Sequence, residues 1–71
     1  MSGSVYRVTE VIGTSTDSWE KAAANAVETA ARSVRDLRVA EATRFDVTIQ
    51  DGKIAEYRVR LDISFKYDAS E

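Results

Sequence analysis

Hydrophobic positions alternate along four stretches of the chain, and the period changes between them. Val5 to Ile12 reads as a β-strand rich in β-branched residues, with Tyr6, Val8 and Ile12 on one parity and Val5 and Val11 on the other. Apolar residues on both parities predict partial burial of both faces. Gly13-Thr14-Ser15-Thr16-Asp17-Ser18 follows as a polar turn. Asp17 with Glu20 fits a capping box, and Ser18 competes as the N-cap one residue later. From about Trp19 to Arg35 the period becomes helical. Trp19, Ala22, Ala23, Ala26, Val27, Ala30, Val34 and Leu37 recur at three- and four-residue steps and define one stripe. Lys21, Asn25, Glu28, Thr29, Arg32 and Arg35 fall largely opposite.

Val39 to Gln50 returns to a two-residue period, with Phe45, Val47 and Ile49 alternating with Arg44, Asp46, Thr48 and Gln50. Asp51-Gly52 predicts a type I′ hairpin turn, because both central residues of that turn need positive φ. The last strand has the clearest pattern. Tyr57, Val59, Leu61, Ile63, Phe65 and Tyr67 face one way, and Glu56, Arg58, Arg60, Asp62, Ser64 and Lys66 the other. The expected fold is α+β, a βαββ unit over residues 1–71 as a single domain, with residues 1–4 disordered and the helix on the apolar side of a three-stranded antiparallel sheet.

The lengths of these elements do not match. Strands of roughly 12 to 14 residues reach on the order of 40 Å, whereas the helix spans about 27 Å. Its stripe is mostly alanine, so it can lie close to a sheet but contributes little area. The strand ends carrying Val39, Phe65 and Tyr67 are left uncovered, and exposed apolar surface of this kind marks an interaction site. A chain of 71 residues is also short, and buries only about 60% of the surface its unfolded form exposes. Small domains compensate with disulfides, metals or oligomerisation. The sequence contains neither Cys nor His, so self-association is the remaining expectation.

Composition narrows the chemistry. Hydrophobic residues make up 44% and charged residues 31%, with a net charge of −2, so the basic footprint of a nucleic-acid binder is missing. No apolar run approaches the roughly 20 residues of a bilayer span, and Met1 to Ser4 lacks the pattern of a signal peptide. No membrane partner and a cytoplasmic location follow as expectations. Without His or Cys, and with no catalytic motif among the Asp, Glu, Lys, Tyr and hydroxyl residues, the chain is expected not to be an enzyme.

Three segments together resemble the dodecin family. Val5-Tyr6-Arg7-Val8-Thr9-Glu10-Val11-Ile12-Gly13-Thr14-Ser15 is similar to its opening strand, and Ser18-Trp19-Glu20 with the alanine-rich helix and Leu37-Arg38 to its helix and exit. Asp51-Gly52-Lys53, Glu56-Tyr57-Arg58-Val59 and Ser64-Phe65-Lys66 are similar to its hairpin and last strand. The resemblance implies a sheet wrapped around its helix, assembly as a hollow homododecamer, and non-enzymatic binding or storage of a small ligand. For the family that ligand is mostly a flavin (FMN or riboflavin) and in some cases coenzyme A.

Two departures bear on the ligand. Where flavin-binding members stack the ring on a tryptophan, this chain has Val39, and where they hydrogen-bond its edge with a glutamine, it has Arg58. Valine has no π-face, and a guanidinium donates but cannot accept. The charge on Arg58 also needs a partner, for which Glu56, Asp46 and a ligand anion are the candidates. The resemblance is therefore to the tryptophan-less, calcium-dodecin-like subgroup, with loss of typical flavin binding; flavin storage and a calcium-binding shell are the alternatives. Acidic candidates for calcium are Asp17, Glu20, Glu41 and Asp46, with Asp51 and Glu56, all of which also serve as caps, turn residues or solvated charges. Arg58, Arg60 and Lys66 form a basic line suited to phosphate or another anion, although cross-strand ion pairing with Glu56 and Asp62 accounts for the same alternation. Glu10 and Glu41 interrupt apolar positions, and are read as ion or ligand contacts at a subunit junction, or as inter-subunit salt bridges or solvent-facing strand ends.

Overall fold

The computed structural model describes residues 3–67. Met1 and Ser2, at the start expected to be disordered, lie outside the described residues. The order of elements is β1 (Tyr6–Ser15), α1 (Trp19–Ala31), β2 (Leu37–Gln50) and β3 (Lys53–Lys66). The strands form one antiparallel sheet in the order β1-β3-β2, so the last strand is central. That position accounts for its clean alternation: from Tyr57 onward β3 has a neighbour on both edges, and its odd-numbered residues there lie on the helix side. Val59, Leu61 and Ile63 are buried with Ala22 and Ala26, and Val11, Ala23, Val27, Ala30 and Leu37 pack around them.

β1 runs three residues further than its pattern suggests, through the segment expected to be a polar turn. Gly13 and Ser15 pair with Val59 and Tyr57 and turn towards the helix. A methyl group on Gly13 would stand 2.1 Å from the Ala22 carbonyl oxygen and 2.8 Å from the Ala26 Cβ. Glycine thus serves here to bring strand and helix into contact. Ser15 continues the tie, its Oγ accepting from the Asp17 amide at 2.9 Å.

The helix is capped by Ser18, not Asp17. Ser18 has extended backbone, and its Oγ accepts from the Lys21 amide at 3.0 Å. The helix also stops four residues earlier than the apolar stripe predicts. Its last turn tightens through Arg32 N–H to Thr29 O and Ser33 N–H to Ala30 O, and Asp36 then takes a left-handed backbone, φ 61°, a conformation that Asp tolerates better than most residues. Leu37, on the helical period, instead starts β2 opposite Phe65. The sheet ladder of β3 outcompetes a further helical turn, and the turn-forming Ser33 and Asp36 permit the change.

The hairpin is as expected, with Asp51 at φ 54° and Gly52 at φ 74°. The alternation of β2 is less regular than its sequence suggests, because pairing shifts at Leu37/Val39, Ala42/Arg44 and Thr48/Ile49. After these shifts the helix-facing partners are Leu37 with Phe65, Ala40 with Ile63, Ala42 with Leu61, Phe45 with Val59 and Val47 with Tyr57. The helix leans on β1 and β3 and touches β2 least. Strands of 14 residues against a 13-residue helix give an elongated body of 56 × 20 × 14 Å, with Phe45, Ile49, Ile54 and Val39 each more than half exposed.

Candidate functional site

The face of the sheet opposite the helix carries most of the polar residues singled out by sequence. Its charges fall in rows across the strands. Glu10, Asp62 and Glu41 are in register, one from each strand; next come Arg60 and Arg44, opposite one another, and then Arg58 opposite Asp46. Like charges placed directly opposite repel, and the structure relieves this with pairs between rows and along them. Arg60 Nη1 reaches Glu10 Oε1 at 3.4 Å across to β1. Arg58 makes a two-pronged contact with Asp46, Nε to Oδ1 at 2.7 Å and Nη2 to Oδ2 at 3.0 Å. Of the partners considered for Arg58, Asp46 is the one engaged.

This fork is the strongest polar feature of the face, because two parallel charge-assisted bonds fix both orientation and distance. Asp46 is also gripped through its backbone: the Trp19 indole N–H donates to its carbonyl oxygen at 3.1 Å. Trp19 meets Phe45 and Tyr57 edge-on, with centroids 6.0 and 5.1 Å apart. The hydrogen bond from Arg58 holds the Asp46 carboxyl below its ordinary value, desolvation opposes this in part, and the charges of Arg58, Arg60 and Arg44 add to the lowering. Arg58 is correspondingly raised, first by its hydrogen bond to Asp46.

Val39 lies at the other end of the same face, opposite Ser64, whose Oγ donates to the Val39 carbonyl at 3.3 Å. Its side chain is exposed. Val39 and Arg58 do not meet within one copy: Ser64 and Arg58 are six residues apart on β3, roughly 20 Å along the strand. A ligand the size of a single ring system is too short to touch both positions of one copy. The basic line also divides, since Arg58 and Arg60 each face a carboxylate, while Lys66 sits at the end of β3 opposite Tyr6.

The acidic candidates are similarly dispersed. Asp17 and Glu20 flank the start of the helix, Glu41 lies in the carboxylate row, and Asp46 is occupied by Arg58. Among the described residues of one copy, no three acidic side chains converge in a way that could hold a metal ion. Calcium takes six to eight oxygen ligands, more than the described residues of one copy bring together. Among the described residues, no helix is long and apolar enough to cross a membrane. The Trp19–Asp46 bond had no signal in the sequence, because it joins residues 27 apart through a backbone atom.

The comparisons with known proteins agree with this architecture. The family model described as Dodecin matches residues 5–68. Calcium dodecin from Mycobacterium tuberculosis is 48% identical over 63 residues, covering 89% of each chain. A solved structure of that protein, described as calcium chelating and as having a novel calcium-binding site, superposes with a TM-score of 0.81 at 49% identity, covering 96% of this chain and 97% of that one. The dodecin from Streptomyces coelicolor superposes with a TM-score of 0.91 at 41% identity, covering 99% of this chain and all of that one. With a family model matching residues 5–68 and a 48% identical relative covered over 89% of its length, the chain belongs to the dodecin family.

Proposed function

We propose that the protein is a non-enzymatic, self-assembling small-ligand binding or storage protein, built as a hollow homododecamer and lacking the typical flavin site. The observation that carries the ligand part of this reading is the Arg58–Asp46 fork. An isoalloxazine edge presents both donors and acceptors, and a guanidinium already committed to a carboxylate offers no acceptor to it. At the other position, Val39 supplies no ring to stack upon, which forfeits about 1 kcal/mol beyond area burial. Self-assembly is supported by the apolar residues that the single helix leaves exposed. The absence of His and Cys from the sequence supports a binding role over a catalytic one.

Titration of riboflavin and FMN with the purified protein tests this reading. The expected result is a colourless preparation and flavin emission that stays unchanged through micromolar protein. Saturable quenching at micromolar or tighter affinity would instead assign flavin storage.

A second reading, a calcium-binding shell, is favoured by the near-half identity to a calcium dodecin. Because one copy gathers no suitable acidic group among its described residues, calcium would draw its ligands from more than one copy. A native-state site raises the melting temperature by mass action. An unchanged melting temperature at millimolar calcium removes this reading.

A further inference from the structure

The β2–β3 hairpin outruns the rest of the fold. β1 pairs with β3 only as far as Ser15 opposite Tyr57, and the helix begins at Trp19, beside Tyr57 and Phe45. Past that level, residues 48–56 form a two-stranded arm. Near its end Ile49 and Ile54 are cross-strand partners, 70% and 55% exposed. A two-stranded ribbon is marginal by itself in water, and a pair of exposed isoleucines side by side is an adhesive surface.

A second uncovered feature lies at the root of the arm. Because α1 leans away from β2, an apolar trough of about 370 Å³ remains between the helix start and that strand, lined by Trp19, Glu20, Ala23, Ala42, Phe45 and Val59. Phe45 and Trp19 form its exposed walls, and the alanines leave it open. Glu20 is the one charged residue in its lining. The arm carries two acidic residues, Asp51 and Glu56, and one basic residue, Lys53, which stands next to Ile54 and is the one complementary to Glu20.

We infer that the arm of one copy seats Ile49 and Ile54 in the Trp19 trough of a neighbouring copy, with Lys53 facing Glu20. The inference rests on the reading that the chain assembles, and adds which surfaces meet. An arm cannot fill its own trough. Ile49 lies three residues beyond Asp46, about 10 Å further along the strand, and the hairpin does not fold back on its root. The contact is heterologous, since each copy gives an arm and receives one, and such contacts close into rings when the rotation between copies allows it.

The chain contains no cysteine, so introduced thiols report without background. Ile49→Cys and Ala42→Cys chains are unfolded, refolded together and oxidised. The expected product is a disulfide-linked dimer containing one chain of each kind, in excess over the products of either variant alone. In parallel, acrylamide quenching of Trp19 is compared between the wild type and the milder Ile49→Ala variant; the wild type is expected to be shielded and the variant more accessible. Failure of the mixed dimer to form, or a wild-type Trp19 as open to acrylamide or to a soluble apolar dye as in the variant, would overturn the arm-in-trough contact. If the wild type is nevertheless large by light scattering, assembly stands and only this contact falls. A monomeric wild type removes both.

Discussion

Gly13→Ala is the glycine substitution that the structure opposes most directly. The added methyl carbon would be placed 2.1 Å from the Ala22 carbonyl oxygen, 2.8 Å from the Ala26 Cβ and 3.0 Å from the Ala22 carbonyl carbon. Ordinary carbon–oxygen contact is more than 1 Å longer than the first of these, and the obstructing atoms belong mainly to the helix backbone, which cannot swing aside as a flexible side chain would. The helix has to lift off β1 by roughly 1 Å, loosening Ala22 and Ala26 over Val59 and Leu61. Overpacking of a well-filled site costs about 1–3 kcal/mol and occasionally more, and the backbone character of this clash puts the expected loss at about 3 kcal/mol. That is a large share of the roughly 5–15 kcal/mol typical of a folded domain. Urea unfolding followed by Trp19 emission, at fixed protein concentration because assembly links stability to concentration, is expected to show a much lower midpoint. A Gly13→Ala protein within about 0.5 kcal/mol of wild type would refute the close approach of β1 and α1.

Other consequences are equally open to measurement. Replacing Val39 with Trp and Arg58 with Gln together is expected to create flavin quenching that neither single change gives; a folded, assembled double variant that binds no flavin would show that these are not the ring-contacting positions. Ser18→Ala is expected to cost about 1 kcal/mol by removing the N-cap, whereas Asp17→Ala costs less; the reverse order in thermal melts would return the cap to Asp17. The Asp46 carboxyl, lowered in the folded state by its hydrogen bond from Arg58, contributes stability that is present above the ordinary carboxylate value and is lost as pH falls through the lowered folded value. A carboxyl-carbon NMR titration is expected to put its midpoint below 3.8, and Asp46→Asn to remove that acid-side slope; a midpoint at or above that value contradicts the fork in solution.

How far the fold can be read from the sequence follows from which interactions are local. β3 and the Asp51-Gly52 turn were legible because each residue's role there depends on its immediate neighbours: period two for the central strand, positive φ for the turn. The extension of β1 through Gly13 and Ser15 was not, since glycine and serine also make turns, and only the opposing helix shows why they serve in a strand. The helix end misled for a related reason. Val34 and Leu37 continue the helical period, but Leu37 satisfies a sheet partner, Phe65, that lies 28 residues away in sequence.

The candidate site was readable in parts. The alternation of β3 placed Arg58, Arg60 and Asp62 on one face, as observed. Asp46 was one of three partners compatible with the charge of Arg58, and the register of a bulged strand decides between them. The separation of Val39 from Arg58 along the sheet depends on that same register. So does the row of Glu10, Asp62 and Glu41, which comes from three different strands.

Whether neighbouring copies complete this subunit is the question beneath both the proposed function and the arm contact. Light scattering coupled to size exclusion answers it in one run on the untagged protein. A single species of about 95 kDa is expected, twelve copies of the 7.9 kDa chain. A well-folded monomer at 7.9 kDa, stable at the same concentration, would contradict it.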